Sequence, residues 1–393
     1  MVRAHAENVL RPRDQEDLVE ILHAHPRPLE PIGGGSKRAI GPPVDADRLE
    51  LSALSGIVAY EPAELVLTAG AATPLATIEA ELARNGQRLA FEPPDFGALI
   101  GAAPCGGQTI GGVLSANVAG SRRVSAGAAR DHFLGFAAVS GDGVPFKAGG
   151  RVVKNVTGYD LPKLIAGSWG TLAVLVSVTV RVAPLPETET TVVVPVRDPA
   201  AAVDVLARAL GSPHDVSAAA FVPSRGAALR LEGFGASVAA RVSGLLEWLG
   251  RDDADPLVDA ESRAFWRQTG AAAELGDWPC IVRISVPPSE APRAIEDIEP
   301  ERYLLDWGGG LIWAAYTNAD IERIRSAIPA GHATLWKAPR ALRESAEVFP
   351  RPPAAVAALA AKLKAAFDPH GRLNPGRMGR QVTPGHRAFE TRH

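Results

Sequence analysis

The stretch Gly106-Gly107-Gln108-Thr109-Ile110-Gly111-Gly112-Val113-Leu114-Ser115-Ala116-Asn117-Val118-Ala119-Gly120 carries no charge and has apolar sequence on both sides. With the residues before it, from Phe91 onward, it reads as nearly all loop. If such a segment is buried, its backbone N–H groups need acceptors. A large ligand with a pyrophosphate and a ring system would provide them. Upstream, Pro31-Ile32-Gly33-Gly34-Gly35-Ser36-Lys37 could wrap an anion with consecutive amides, because glycine lets the backbone approach closely and reaches positive φ cheaply. By itself that loop reads more readily as a plain surface turn. Downstream, Gly167-Ser168-Trp169-Gly170-Thr171-Leu172 runs into a β-branched segment, Val174 to Val182, expected as a buried strand. No GxGxxG follows a strand, and no GxxxxGK[ST] occurs, so the standard dinucleotide and P-loop cradles are absent.

Composition narrows the function classes. At about 150 residues per domain, 393 residues suggest two or three domains. The net charge of −3 offers no bulk attraction to nucleic acid or anionic lipid. Two cysteines, Cys105 and Cys280, exclude a disulfide scaffold and any iron–sulfur or CxxC zinc site built by this chain alone. Met1 to Gln15 lacks the apolar core of a secretory signal. The uncharged run Leu164 to Val180 is short for a membrane span and rich in small residues. The expectation is a soluble protein of a reducing compartment.

The pattern along the chain implies an α+β protein. Asp14 caps a helix to about His25, and Thr73-Pro74 opens a second with Leu75, Ile78 and Leu82 as its stripe. Pro184-Leu185-Pro186 marks a boundary. Beyond it, a strand at 192–196, a helix opened by Asp198-Pro199, strands near 217–222 and 228–232 and a helix over 236–249 form one β-α-β-β-α unit. Strands at 281–286, 302–306, 311–316 and 332–336, with helices after Pro288 and at 319–328, repeat the order. The repeat predicts a ferredoxin-like, duplicated antiparallel domain. An Ala-rich helix over 353–367 and a tail containing Asn374-Pro375-Gly376 complete the pattern.

Five ordered motifs resemble the vanillyl-alcohol oxidase/PCMH-type FAD-binding family. They are Thr109-Ile110-Gly111-Gly112, Arg130-Asp131-His132-Phe133-Leu134-Gly135, the run Gly149 to Leu161 with Lys154-Asn155-Val156-Thr157-Gly158-Tyr159-Asp160, Gly167 to Leu172, and Asn374-Pro375-Gly376. Within that family the sequence is most similar to the FAD-binding subunits of glycolate oxidases. The resemblance covers about residues 8–185 and 365–378. It implies a PCMH-type FAD domain in two subdomains over 1–186, an antiparallel cap over 187–345, and a tail over 346–393 that returns to the FAD domain. It implies noncovalent FAD, with the pyrophosphate on Gly33, Gly34, Gly35, Ser36 and Lys37 and on Thr109, Ile110, Gly111, Gly112, Ser115 and Asn117, a stretch that ends at Gly120. The adenine half would lie on backbone near Ser168, Gly170, Thr171 and Val174, with Asn374 from the tail and Pro93 and Pro94 passing the flavin ring. Its expected role is the FAD-binding component of a complex that oxidises glycolate or D-lactate to the 2-oxo acid. The expected partners are the D and F components of such an oxidase, a catalytic flavoprotein and an iron–sulfur protein. The expected location is the cytoplasm, with membrane contact only through partners.

Two features depart from relatives that act on 2-hydroxy acids by themselves. The H-x-x-x-x-x-H metal motif of their caps is missing; only His214 and His332 fall in that region, and no metal is expected. The residue that grips the substrate carboxylate is not evident. Lys154 is the candidate for the carboxylate and Tyr159 for the alkoxide; the alternatives are a surface or phosphate contact for Lys154, and packing against Trp169 or Leu161 for Tyr159. Cys105 sits where some relatives attach flavin covalently, but the first loop offers no His, so a packed thiol is expected. Arg122-Arg123 reads as a solvated pair. Trp248, Trp266, Trp278, Trp307, Trp313 and Trp336 read as core, with docking anchors as the alternative. Two other readings stay open: a self-sufficient hydroxy-acid oxidase, and a non-catalytic scaffold.

Overall fold

The computed structural model describes residues 8–101, 107–150 and 159–379. Strands β1 (Val9–Leu10), β2 (Leu29–Ile32) and β3 (Asp47–Glu50) form a parallel sheet in the order β1-β3-β2. The helix Gln15–Ala24 buries Leu18 and Leu22 against it, and the Asp14 carboxylate caps that helix by accepting from the Asp17 amide. The tail returns here as expected: Leu373 bridges Leu29, and the Arg377 guanidinium meets the buried Glu30 carboxylate at 2.7 Å.

A second, antiparallel sheet contains β4 (Ile57–Glu61), β5 (Val66–Gly70), β7 (Phe133–Ser140), β8 (Pro145–Gly149) and β9 (Ala173–Arg181), in the order β4-β5-β9-β7-β8. The buried strand foreseen from Val174 is β9. The helix Leu75–Arg84 buries the predicted stripe of Leu75, Ile78 and Leu82. Thr73 does not cap it. Its hydroxyl donates instead to the Gly70 carbonyl at 2.7 Å and accepts from the Gly56 amide at 2.9 Å. The loop expected over 91–120 also needs correction. Ile110–Ala116 is a helix, N-capped by the Thr109 hydroxyl, with Ile110, Val113 and Leu114 buried at helical spacing.

After β6 (Gln87–Arg88) pairs with β10 (Ala183–Pro184), the chain builds an eight-stranded antiparallel sheet. Its strands are β11 (Thr188–Val194), β12 (Ala218–Val222), β13 (Gly226–Gly233), β14 (Asp255–Val258), β15 (Cys280–Ser285), β16 (Arg302–Asp306), β17 (Leu311–Tyr316) and β18 (His332–Lys337). The order β14-β11-β13-β12-β16-β17-β15-β18 is two ferredoxin-like units placed edge to edge and joined through the Phe221–Leu305 pair. The duplication read from the sequence is therefore present. β11 starts earlier than 192 and stops at Val194, because Pro195 has no N–H for the ladder. The first unit also has a fourth strand, β14, and a helix, Ala260–Gly270, that the sequence reading missed.

Strand alternation divides the second unit's side chains between two layers. Cys280, Val282 and Ile284 pack beneath the helices of the eight-stranded sheet. Ile281, Trp313 and Trp336 join the core of the five-stranded half. The halves are also tied by polar contacts. Arg230 meets Glu92 at 2.7 Å, Arg88 meets Glu232 at 2.6 Å, and Ser121 donates to Asp306 at 2.7 Å. Arg122-Arg123 belongs to this seam and is not a solvated pair: Arg122 meets Glu232 at 3.0 Å, and Arg123 lies over the Trp307 ring.

Candidate functional site

β2 runs directly into Gly33-Gly34-Gly35-Ser36-Lys37, and this loop packs on the start of the helix Ile110–Ala116. The packing is close: a Cβ on Gly33 would stand 2.3 Å from the Thr109 hydroxyl, and Gly35 takes φ of +72°. No side chain fits at Gly33, so its glycine is a steric requirement. Together these segments line a cleft with about 780 Å³ of open space. It collects Gly33 to Lys37, Thr109, Gly111, Gly112, Ser115, Gly170, Val174 and Asn374, which are far apart in sequence.

The amides in the two segments have different fates. Ile110 and Gly111 donate to the carbonyls of Thr73 and Ala71, and Gly112 donates to the Thr109 hydroxyl. The fold itself therefore satisfies the donors that the sequence reading assigned to a ligand. The amides of Gly34, Gly35, Ser36 and Lys37 meet no protein acceptor among the described residues. They form an open nest suited to an anion. Beside it the Lys37 ammonium touches the Gln108 side-chain oxygen at 3.2 Å; burial pushes its pKa down to about 8, opposed by Asp95. Gln108 in turn donates to the Pro93 carbonyl at 3.3 Å, tying the Pro93-Pro94 loop to the cleft.

Two buried polar atoms have no partner: the Asn374 side-chain oxygen, whose residue lines the cleft, and the hydroxyl of Ser168, whose neighbours Trp169 and Gly170 line it though Ser168 itself does not. Asn374 takes φ of +45° while its side-chain amide donates to the Trp169 carbonyl at 2.8 Å. A cleft lined by an open amide nest, a lysine and an unpartnered side-chain amide oxygen fits a dinucleotide with a pyrophosphate, such as FAD.

Other expected site residues lie around the cleft. Ile110 is in the core, Asn117 accepts from the Arg130 amide at 3.0 Å, and Gly120 abuts the Glu92 carbonyl. The Thr171 hydroxyl donates to the Ser168 carbonyl at 2.6 Å. Tyr159 is 90% exposed and lines no part of the cleft, rather than packing on Trp169 or Leu161. Lys154 and Cys105 lie outside the described residues. Among the described residues, no three His, Cys, Asp or Glu side chains converge as metal ligands.

One constellation escaped the sequence reading. The Arg283 guanidinium lies over three indoles, 4.8 Å from the centre of Trp307, 5.8 Å from Trp313 and 5.6 Å from Trp336. Arg283 and Trp313 are cross-strand partners, and a bulge after Ile281 admits Trp336. Phe96 closes on Trp313 and Trp336, and Trp169, from the cleft, reaches Trp336 at 6.3 Å. Of the tryptophans expected in the core, Trp266, Trp313 and Trp336 are buried, Trp278 and Trp307 are partly buried, and Trp248 is half exposed. Arg283 makes no ion pair or hydrogen bond among the described residues. Burial pushes its pKa down to about 10, helped by Arg123 and opposed by Asp306. Its legible signal was a charge on the inward face of a central strand.

Comparison with known proteins agrees with this geometry. Residues 6–149 match the model of an FAD binding domain, and residues 351–378 that of the C-terminal domain of FAD linked oxidases. Glycolate oxidase subunit GlcE of Escherichia coli is 35% identical over 356 residues, 89% of this chain and 92% of that protein. A D-lactate dehydrogenase of Archaeoglobus fulgidus is 31% identical over 196 residues, of which the chain spans only 42% of that protein's length. Among solved structures, alkyldihydroxyacetonephosphate synthase superposes with a TM-score of 0.64 at 16% identity, over 93% of this chain and 76% of that one.

Proposed function

Because the chain belongs to the FAD-linked oxidases with a PCMH-type FAD-binding domain, and FAD is its cofactor, we propose that it is the FAD-binding subunit of a glycolate oxidase complex. The observation that carries this reading is similarity to glycolate oxidase subunit GlcE along nearly the whole of both chains, eight-stranded sheet included. The proposal divides the chain into an FAD domain (1–186), a cap (187–345) and a returning tail (346–393). The amides of Gly34 to Lys37 and the Lys37 ammonium would hold the pyrophosphate, and Ser168 and Asn374 the adenine half, without a covalent link. When bound, FAD takes up the hydride equivalent that leaves a 2-hydroxy acid as it becomes a 2-oxo acid. This chain's part is to orient the cofactor, exclude water beneath the cap, and present its own groups to the acid. Lys154 and Tyr159 belong to this proposal as the carboxylate and alkoxide contacts; for Tyr159 that requires substrate or a partner to cover it.

Two cysteines cannot ligate an iron–sulfur cluster, so onward electron transfer falls to partners. These are the D and F components of the oxidase, a second flavoprotein and an iron–sulfur protein. No helix among the described residues is long and apolar enough to cross a membrane. The proposed complex would sit in the cytoplasm, this chain reaching a membrane acceptor through those partners. A second reading, direct oxidation by this chain alone, is favoured by one observation: the unpaired Arg283 faces the cofactor half of the same chain.

The test is an anaerobic visible spectrum of the purified chain, and of the chain co-expressed with the two partners, before and after glycolate. Flavin bands in the chain that bleach only in the complex support the subunit reading. Bleaching in the isolated chain supports self-sufficiency. Absence of flavin from both preparations would refute the cofactor role and leave a scaffold.

A further inference from the structure

The open amides of Gly34 to Lys37 are flanked by β2 on one side and by a turning segment, Arg38 to Pro42, on the other. One guanidinium joins the two flanks. Arg377, which is 5% exposed, donates through one terminal nitrogen to the Glu30 carboxylate at 2.7 Å. Through the other it donates to the carbonyls of Arg38, Ile40 and Pro42, at 3.2, 2.8 and 3.4 Å. The second Glu30 oxygen accepts from Arg38 at 2.6 Å, so the buried carboxylate is also tied to the far flank directly. Within the turning segment, the amides of Arg38 and Ile40 donate back to the carbonyls of Gly35 and Lys37, at 3.1 Å each. A shift of the carbonyls that Arg377 holds would therefore carry the nest with it. Without the guanidinium, buried acceptors on both flanks would lose their donor. Glu30, Arg38 and Arg377 all line the cofactor cleft, and two guanidinium groups against one carboxylate leave its wall positive. Arg377 arrives from the tail, after the helix Ala354–Phe367 and 335 residues beyond Pro42.

We propose that Arg377 is a positioning residue for the cofactor: it fixes the open amides in the geometry a diphosphate requires, and so couples docking of the tail to FAD binding. The inference rests on the placement of the pyrophosphate at Gly34 to Lys37 proposed above. The terminal nitrogens of Arg377 bond to protein acceptors, and the residue acts on FAD through the loop. A planar fork suits this task because the acceptors stand on two flanks. An ammonium can pair with Glu30 or with the carbonyls, but it does not bridge both in a fixed geometry. With the bridge gone, the loop is ordered only when FAD binds, and that ordering is subtracted from the affinity. The coupling is reciprocal, so bound FAD also holds the tail against β2.

FAD is titrated into the flavin-free full chain and followed by flavin fluorescence, and amide hydrogen exchange is measured by mass spectrometry at saturating FAD. Arg377→Met should weaken FAD on the order of 30-fold, the cost of ordering the loop at the moment of binding. Arg377→Lys, which keeps the charge and loses the fork, should weaken it roughly tenfold. With FAD bound, the peptide over 33–42 should exchange faster in Arg377→Met than in the wild type, while the helix Gln15–Ala24 and β9 keep their protection. A general loss of stability would raise exchange in all three. If Arg377→Met does not fold, Arg377→Lys carries both measurements. An affinity within about twofold of the wild type in the folded variants, or exchange that rises as much in β9 as in the loop, overturns the proposal. Lys37→Met is titrated alongside. If it weakens FAD while the Arg377 variants do not, the positioning role falls and the placement of the pyrophosphate stands. If it binds FAD as the wild type does, that placement falls and takes the proposal with it.

Discussion

Asp306 should make this protein less stable as the pH rises, which is the opposite of an ordinary carboxylate. The side chain is 1% exposed, at the junction of the cap sheet with the Ser121 segment. Burial drives its pKa up to about 6, against hydrogen bonds from Ser121 and the Trp307 amide and against the charges of Arg230 and Arg283. In the unfolded chain an aspartate titrates near 3.9. Between those two values the folded state holds the extra proton, so stability falls as pH rises through the window and levels off above it. Two pKa units correspond to about 3 kcal/mol, roughly half of it between pH 5 and 7.5. Asp306→Asn keeps an oxygen for the Trp307 amide, and the Ser121 hydroxyl can turn to accept. The variant should therefore match the wild type most closely near pH 4 and gain on it by roughly 1 kcal/mol between pH 5 and 7.5. Urea unfolding of both proteins across that range, with saturating FAD, measures the difference. A gap that does not change with pH, or one that narrows as pH rises, would show that Asp306 is ionised in the fold and would refute the burial argument.

Other outcomes follow from the same geometry. Gly112→Phe should empty the cleft of flavin in a folded protein, since a Cβ there meets only the Thr109 hydroxyl at 3.3 Å; Gly111→Ala, whose Cβ would press on the Ala71 carbonyl at 2.7 Å, should lower the unfolding temperature instead. FAD affinity should weaken as pH rises above about 8, where the unliganded Lys37 loses its proton and with it the charge facing the pyrophosphate. Lys37→Met should bind FAD weakly at every pH, as dissociation constants at pH 7 and 9 will show. Arg230→Met leaves Glu92 and Glu232 without their shared cation and should cost about 3 kcal/mol, partly recovered by adding Glu92→Gln; a double-mutant cycle in urea reads the coupling.

Periodicity carried most of the fold. The apolar stripes at Leu75, Ile78 and Leu82, the β-branched run of β9 and the repeated strand–helix order were all readable, because each element packs one face on a core. The helix Ile110–Ala116 was hidden by its own glycines, although Ile110, Val113 and Leu114 already stood at helical spacing behind a capping Thr109. β14 and the helix Ala260–Gly270 were hidden by polarity: Asp255-Pro256 reads as a turn, and β14 is an edge strand with little to bury. At the site, the three glycine-rich segments were recognisable and do converge. Which amides remain open was not recognisable, because the carbonyls of Ala71 and Thr73 that claim Ile110 and Gly111 lie about 40 residues away.

The location of the Arg283 cage follows from an asymmetry between the two ferredoxin-like units. Each unit has helices on its outer face and must cover its inner face with something. In the first unit the added helix Ala260–Gly270 does so, setting Phe265 and Trp266 on Ala218, Ala220 and Ala228, with the Trp266 N–H donating to Thr191 at 2.6 Å. Its small residues let the Phe265 and Trp266 rings close over the sheet. The second unit has no such helix between its strands. Its inner face, carrying Ile281, Arg283, Trp313 and Trp336, is covered instead by Phe96 and Trp169 from the cofactor half. A duplicated scaffold thus commits one copy's inner face to stability and turns the other toward the cleft. There the indole N–H groups of Trp313 and Trp336 are buried without acceptors, and the half-buried Arg283 guanidinium makes only ring contacts. Trp266 and Trp313, both buried inward-facing tryptophans, differ in partnership accordingly: the first donates to Thr191, and the second has no acceptor.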